Sequence, residues 1–288
     1  MKTNILNYTH EQLSKILVGL GEKKFRATQL YSWIYEKNTL NFQEMTDISK
    51  KSIALLEEKF VFELPRIHSR QDSNDGTIKI LFELTDGALV ETVLMRYRYG
   101  NSVCVTSQVG CNMGCKFCAS GLLKKKRDLT SGEMLGQVYV VDQILKQEDK
   151  GARVSHVVVM GIGEPFDNYD NVMNFIRIIN HPKALAIGAR HITVSTCGIV
   201  PRIRQFAHEG IQIKLAISLH AATDEKRNLI MPINARYPIK ELIEAARYYE
   251  QVTNKRVTFE YILIDDVNDG IEDARALIDL VGDMLAYI

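Results

Sequence analysis

Three cysteines lie close together near the middle of the chain, and thiols at such short spacing are typical of a metal centre. They are Cys111, Cys115 and Cys118, in the pattern C-x3-C-x2-C. The loop that carries them directly follows an apolar run at residues 102–106, which predicts a strand. An iron–sulfur cube has four irons, and each usually takes one thiolate. Three thiolates from one loop therefore leave one iron open to an exogenous ligand.

Two other uses of this loop fit less well. Structural zinc takes four ligands, commonly two C-x2-C pairs or a mixture of cysteine and histidine, and no fourth cysteine or histidine lies within a comparable distance in the sequence. A disulfide framework is typical of short secreted chains with an even number of cysteines, whereas this chain has 288 residues and five cysteines. The pattern therefore favours an iron–sulfur cluster.

The composition is that of a globular protein. With 288 residues, 46% of them hydrophobic, the chain can form one large domain or a domain with an appendage. It has no apolar run suited to a signal peptide or a membrane span, so we expect a cytoplasmic protein with no membrane partner. The 36 Lys and Arg residues nearly balance the 35 Asp and Glu residues, so net charge is uninformative about nucleic acid. Basic runs at 23–26 and 124–127 are candidate phosphate contacts, although such runs are usually solvated surfaces.

The part of the chain before residue 64 predicts three helices. A capping box at Thr9-His10-Glu11-Gln12 opens the first, and apolar residues then recur at helical spacing. Two further helices are predicted at 25–35 and 49–60, with Trp33 in the core. These helices indicate a small N-terminal domain.

A β-hairpin is predicted between this domain and the cysteines. From Thr77 the apolar periodicity changes to two, and Asp86-Gly87 is a turn signal. Glu91 lies in the returning strand, where facing water is the default for a charged residue. We therefore divide the chain into an N-terminal helical, RNA-binding domain, a hairpin extension and a core domain, at residues 1–64, 65–98 and 99–288.

The core domain predicts alternating strands and helices. The predicted strands are 102–106, 154–160, 191–196, 211–219 and 257–264, and residues 285–288 resemble the start of a sixth. Such alternation implies a parallel sheet with crossover helices. The expected fold class is α/β, a partial (β/α)6 barrel that lacks most of its last strand.

Small and polar residues follow these strands, at the ends where parallel barrels collect their reactive groups. The candidates are Gly163 and Glu164 after the second strand, Ser195 after the third, and Ser218, Leu219 and His220 after the fourth. Gly163 would allow a ligand to approach the backbone closely, and Glu164 is a natural acceptor for an ammonium group. Each residue alone has a purely structural explanation, but their placement beside the cysteine loop favours a ligand site.

At this point a family resemblance is evident. Over essentially its whole length the sequence resembles the RlmN family of bacterial radical S-adenosylmethionine (SAM) enzymes, which methylate C2 of adenine in ribosomal and transfer RNA. The segments that carry the resemblance are 25–27, 107–120, 159–165, 190–198, 217–220, 259–261 and 267–270. In related resistance enzymes that methylate adenine C8, the Gly-Glu-Pro run found here at 163–165 is usually altered. This difference favours the C2 branch.

The resemblance implies cofactors and roles for individual residues. It implies a [4Fe–4S] cluster on Cys111, Cys115 and Cys118, with SAM chelating the fourth iron through its amino and carboxylate groups. It implies SAM contacts from Gly163, Glu164, Ser195, Ser218, Leu219 and His220. It implies that Glu91 accepts the C2 proton and that Cys104 forms a disulfide as the product leaves. Without the resemblance, Cys104 would be interpreted as a small buried hydrophobic residue.

The implied reaction has two stages, because adenine C2 is an electrophilic carbon. One SAM methylates a C-terminal cysteine, and a second SAM, cleaved at the cluster, generates a radical that takes hydrogen from that methyl group and lets it add to C2. The implied partners are 23S rRNA in its peptidyl transferase region, tRNA at the adenosine 3′ of the anticodon, and a one-electron donor such as flavodoxin. A monomer is expected.

The family's methyl-carrying cysteine and its last SAM-binding asparagine follow a sixth strand, and the sequence ends at Ile288 as that strand begins. Cys197 does not match that cysteine, because it lies within the SAM loop of the third strand. We therefore expect the 288-residue polypeptide to bind the cluster and some SAM but to transfer no methyl group.

Other functions stay open on the sequence alone. A C8-methylating resistance-type enzyme is one. A radical SAM enzyme for tRNA methylthiolation usually has further cysteine triplets, and the sequence has none. A non-catalytic iron–sulfur protein would bind RNA through Lys23, Lys24 and Arg26 without cleaving SAM.

Overall fold

The computed structural model describes residues 2–288, which divide into two compact units. The first unit contains the chain up to Val105 together with Leu129–Val157 and Asp170–Gly188. The second contains Thr106–Asp128, Val158–Tyr169 and Ala189–Ile288. The domain boundaries at 64 and 98 divide the chain differently and stay a prediction.

Helices and strands alternate after the cysteine loop, as the sequence predicts. The helices are α1 (His10–Gly19), α2 (Arg26–Tyr31), α3 (Lys50–Lys59), α4 (Ser131–Glu148), α5 (Tyr169–Asn180), α6 (Val200–Phe206), α7 (Asp224–Ile230), α8 (Ile239–Thr253) and α9 (Ile271–Val281). The strands are β1 (Thr3–Asn4), β2 (Phe60–Val61), β3 (Arg66–Asp72), β4 (Ile78–Glu83), β5 (Leu89–Tyr97), β6 (Gly100–Cys104), β7 (Gln108–Val109), β8 (Arg127–Asp128), β9 (Val154–Val159), β10 (Ile192–Thr196), β11 (Lys214–Ser218), β12 (Val257–Glu260) and β13 (Ala286–Tyr287).

Capping boxes fix the starts of two helices in the first unit. Gln12 N–H donates to the Thr9 hydroxyl (3.2 Å), and Thr9 N–H donates to the Gln12 side chain (3.0 Å). Thr130 and Glu133 make the same reciprocal pair at the start of α4. Both boxes are readable in the sequence, because each satisfies N–H groups that a helix start leaves without partners.

The end of the second predicted helix differs from the prediction. After α2 the chain forms a π-helical turn, Ser32–Glu36, which buries Tyr35 and leaves Trp33 half-buried. The Trp33 indole N–H donates to Asp47 (2.6 Å), and the Lys37 ammonium lies 3.3 Å from its ring centroid. The predicted core position of Trp33 is therefore wrong.

An antiparallel sheet forms most of the β-structure of the first unit. Its strand order is β6-β5-β4-β3, with β9 on the far side of β6. The predicted hairpin is confirmed, and the register pairs Ile80 with Thr92 and Leu81 with Glu91. One face is buried and apolar, because Ile78, Ile80 and Phe82 alternate with more accessible residues.

The second unit is built on parallel strands in the order β10-β11-β12-β13. The register pairs Val194 with Leu215 and Ile217 with Phe259. The short β13 pairs with β12 in the same direction, so the predicted start of a sixth strand is confirmed. In this arrangement the carboxyl ends of β10, β11 and β12 lie at one edge. Within residues 2–288, no helix is both long and apolar enough to cross a bilayer.

Candidate metal centre and ligand cavity

A cavity of about 340 Å³ lies in the second unit, between the cysteine loop and the carboxyl ends of the strands. Its wall includes Cys111, Cys115 and Cys118. It also includes Gly163, Glu164, Ser195 and Ser218. The structure thus brings together seven of the nine candidate residues of this unit, although the sequence separates them by more than one hundred positions. Leu219 and His220 do not line the cavity.

The cysteine loop is closed at its base by backbone pairing. β7 and β8 pair in antiparallel fashion, Cys111 N–H donates to the Leu123 carbonyl (2.8 Å), and Lys126 N–H donates to the Val109 carbonyl (2.7 Å). Gly110 has φ +77°, and a Cβ there would overlap the Lys124 carbonyl oxygen. Glycine at 110 therefore permits both the turn and the close approach of the returning chain.

Gly110 and Gly114 offer a matched test of this closure. Gly114 also has a positive φ (+69°), but a Cβ there would meet only Pro232 at 3.7 Å. We expect Gly114→Ala to cost about 1–2 kcal/mol for the left-handed conformation alone. Gly110→Ala should cost a further ~1–3 kcal/mol because the added methyl overlaps backbone. Urea unfolding of the two variants measures the difference, and equal losses would show that the contact with Lys124 does not hold the loop.

The three thiols of the loop are free and partly buried. All five cysteines are free, and burial raises the pKa of Cys111 and Cys115, the latter to about 11. Metal binding therefore has to displace protons from both. Among the described residues, no three His, Cys, Asp or Glu side chains converge closely enough to ligate one metal ion.

Glu164 connects two of the strand-end loops. It is 3% exposed, and its carboxylate accepts the N–H of Phe166 (2.9 Å) and the N–H of Cys197 (2.8 Å). Burial raises the pKa of Glu164, although these hydrogen bonds oppose the shift. Its charge acts on the thiols of Cys111 and Cys115, so Glu164 lies at the cysteine end of the cavity. The side chains of Thr196 and Cys197 also hydrogen-bond to it, so all of its about four lone-pair sites are engaged. An ammonium donor would have to displace one of these protein donors.

Glu260 is a cavity residue that the sequence interpretation missed. The hydroxyls of Ser195 and Ser218 both donate to Glu260 Oε2, at 3.1 and 3.2 Å, and Glu260 lines the cavity with them. The predicted strand 257–264 placed Glu260 inside a strand, whereas the observed β12 ends at Glu260. Ending that strand correctly would have placed a carboxylate at its reactive end.

Leu219 and His220 do not line the cavity but contact residues that do. Leu219 is fully buried, and its N–H donates to the Glu260 carbonyl (3.0 Å). His220 has φ +57°, accepts the Ile262 N–H at Nδ1 (3.0 Å), and packs edge-on to Phe117 with ring centroids 4.7 Å apart. Burial lowers the pKa of His220 to about 4, so the ring is neutral at pH 7. Direct contact of either residue with a ligand stays a prediction.

Glu91 and Cys104 lie in the first unit, on neighbouring strands. Cys104 of β6 is directly opposite Val93 of β5, and Glu91 lies two residues before Val93 on the same face. Diagonal neighbours of this kind are about 7–8 Å apart. Both side chains are half-buried, and Lys79 Nζ lies 2.9 Å from the Glu91 carboxylate. The two residues therefore share the less buried face of the hairpin sheet.

Family comparisons agree with this geometry. Residues 105–281 match the family model of the radical SAM superfamily, and residues 3–61 match that of the ribosomal RNA large subunit methyltransferase N-terminal domain. A probable dual-specificity RNA methyltransferase RlmN of Streptococcus thermophilus (strain CNRZ 1066) is 55% identical over 289 residues, covering 100% of this chain and 74% of the relative. The probable RlmN of Streptococcus suis (strain 98HAH33) is also 55% identical, over 290 residues, covering 100% of this chain and 78% of the relative.

A solved structure is similar over nearly the whole chain. The crystal structure of a radical SAM methyltransferase from Sphaerobacter thermophilus has a TM-score of 0.90 and 41% sequence identity. The match covers 99% of this chain and 83% of that one.

Proposed function

The chain belongs to the RlmN family of radical SAM RNA methyltransferases, and we propose that it methylates C2 of adenosine in both 23S rRNA and tRNA. The observation that carries the proposal is the single cavity that three cysteines of one loop share with polar residues from successive strand ends. The Gly-Glu-Pro run at 163–165 supports the C2 position, since it matches the C2 branch of the family, and the family roles of proton acceptor and second thiol would fall to Glu91 and Cys104.

The enzymes of this family use a [4Fe–4S] cluster and SAM. In this chain Cys111, Cys115 and Cys118 would hold three of the irons. When bound, the cluster and SAM supply a radical that can take hydrogen from an unreactive carbon. The electron has to come from outside the chain, and we propose a one-electron donor such as flavodoxin.

We propose that Glu260 accepts the ribose hydroxyls of SAM. The amino acid part of SAM would bind at the cysteine end of the cavity near Glu164. The nucleoside part would then be held by Ser195, Ser218 and Glu260. Glu260 Oε2 already accepts both serine hydroxyls, and the other carboxylate oxygen is available for a ribose hydroxyl.

Replacing Glu260 with alanine should therefore weaken SAM binding. A hydrogen bond to a charged group is worth about 1.5–3 kcal/mol, so we expect an increase in Kd of about ten- to 150-fold. Equilibrium dialysis of labelled SAM against the reconstituted protein measures this change. Glu241→Ala, which removes a carboxylate from the exposed side of α8, is the control. Unchanged SAM affinity in a folded Glu260→Ala protein would exclude this role.

The position of methylation is tested by mass spectrometry of nucleosides. The complete gene product would be incubated with SAM carrying a deuterated methyl group, a reductant, and either unmodified 23S rRNA or tRNA. We expect labelled 2-methyladenosine from both RNAs. Labelled 8-methyladenosine would identify a resistance-type enzyme, and label in only one RNA would contradict dual specificity.

One part of the alternative RNA-binding hypothesis is wrong. Arg26, expected to contact RNA with Lys23 and Lys24, is only 9% exposed and pairs with Glu22 at 3.0 Å. Lys23 and Lys24 are exposed and available for phosphate contacts. Any RNA contact of this basic run therefore depends on the two lysines.

A further inference from the structure

Arg227 of α7 is a buried cation with only neutral hydrogen-bond partners. Its side chain is fully buried. Nε donates to the Leu219 carbonyl (3.0 Å), Nη1 to Asn234 Oδ1 (2.9 Å), and Nη2 to the carbonyls of Cys197 (2.7 Å) and Ser218 (3.1 Å). Among the described residues, no carboxylate lies within ion-pair distance of it.

This arrangement leaves Arg227 without a direct ion pair, because the carboxylate of Asp224 reaches it only through Asn234 and acts on its charge at longer range. Burial lowers the pKa of Arg227 to about 10, so the guanidinium stays protonated at neutral pH. Burying a charge is costly unless an opposite charge accompanies it. The four acceptors engage four of its five N–H groups but carry no negative charge themselves, so Arg227 can still stabilise a negative group that binds nearby.

A candidate position for such a negative group is the cysteine loop. The Ile230 carbonyl at the end of α7 accepts the Lys116 N–H (2.9 Å). Ile230, Met231 and Cys197 form a buried apolar cluster against which Cys115 packs. Arg227 donates to the backbone carbonyl of Cys197, so the guanidinium lies against the same cluster that Cys115 contacts. Its charge acts on Cys115 against the effect of burial.

We propose that Arg227 raises the reduction potential of the cluster held by Cys111, Cys115 and Cys118. The proposal rests on the cluster assignment made above. On reduction the oxidised cluster takes one electron from an external low-potential reductant and becomes one unit more negative, with no bond formed or broken. A fixed positive charge in a poorly polarisable surrounding stabilises this more negative state, and net charge near a cluster is one of the factors that set its potential.

Potentiometric titration of the reconstituted protein, followed by electron paramagnetic resonance of the reduced cluster, tests the proposal. Arg227→Gln removes the charge, and we expect the potential to fall by about 59 mV or more, a tenfold change for a one-electron couple. Arg227→Lys keeps the charge and should retain most of the wild-type potential, even though it loses some of the hydrogen bonds that the guanidinium makes. Arg247→Gln removes an equal charge from a partly exposed arginine that pairs with Asp283 (2.7 Å) and should leave the potential unchanged.

A second variant keeps Arg227 and its hydrogen bonds intact, in case Arg227→Gln does not fold. Asn234 Nδ2 donates to Asp224 Oδ1 (2.8 Å). The exchange Asp224→Asn with Asn234→Asp conserves net charge and that hydrogen bond, although it loses the bond from Asn234 to Asn228 (3.0 Å), and it places the carboxylate on Arg227 Nη1. We expect the potential to fall as in Arg227→Gln.

The outcomes distinguish a failure of the proposed function from a failure of the proposed role of Arg227. A wild-type protein that binds no cluster would overturn the proposed function itself. If the wild type binds a cluster and Arg227→Gln leaves its potential unchanged, only the role of Arg227 is overturned. Where Arg227→Gln does not fold, an unchanged potential in the exchange variant has the same meaning. If the reduction potential falls as far in Arg227→Lys as in Arg227→Gln, the effect comes from a change in structure and not from the charge, and the role of Arg227 is again overturned.

Discussion

The Cys115→Ala protein is expected to bind no [4Fe–4S] cluster. Each thiolate holds one iron, and the remaining two thiols of the loop cannot keep a cube that already has one iron without a protein ligand. After anaerobic reconstitution, wild-type protein should contain about four irons and four sulfides per chain. The variant should contain close to none, as measured by colorimetric iron and sulfide analysis.

Cys197→Ala is the matched control for this loss. Cys197 is also a free thiol on the wall of the cavity, but it lies at the end of β10 and outside the cysteine loop. Its backbone N–H, which Glu164 accepts, survives the substitution. We expect Cys197→Ala to retain its iron. Loss of iron in this control and retention in Cys115→Ala would invalidate the ligand assignment, and stable zinc without iron uptake in the wild type would invalidate the cluster itself.

The sequence predicts the cysteine loop and most of the cavity because these depend on local patterns. The spacing of three thiols is visible without a structure, and parallel strands place their carboxyl ends together whatever the helices between them contain. The sequence did not predict Glu260 as a cavity residue, because the apolar run continues to Ile264, whereas pairing with β11 ends at Glu260. The end of a strand is set by its neighbour's length, and periodicity along one segment carries no such information.

Arg227 illustrates a second limit. It belongs to the run Asp224-Glu225-Lys226-Arg227, whose composition is typical of a solvated helix face. In the structure α7 is short, and it turns Arg227 inward while its neighbours in the run lie nearer the surface. Strand β3 shows the reverse case, because all its residues are exposed and only pairing with β4 makes it a strand. In both cases, contacts with residues distant in sequence decide the burial or the secondary structure, against what the local composition predicts.

Replacing Glu91 with glutamine is expected to reduce 2-methyladenosine formation by about 10²–10⁴-fold, the range that a positioned general base contributes. The carboxylate stands on the more accessible face of the hairpin sheet, on the same face as Cys104. Its ion pair with Lys79 joins two side chains that are 38% and 50% exposed. Such pairs are worth about 1 kcal/mol or less, so the carboxylate can leave the lysine and accept a proton from the base.

The control for Glu91→Gln is Glu83→Gln. Glu83 lies on β4 of the same sheet and pairs with Leu89, which places it on the same face as Glu91. A general effect of charge on RNA binding would appear in both variants, whereas loss of a proton acceptor would appear only in Glu91→Gln. Measured with the complete gene product, RNA affinity should be equal in the two variants, and only the rate of 2-methyladenosine formation should differ. Similar rates in both would place the proton acceptor elsewhere, because the two carboxylates differ chiefly in their distance from Cys104.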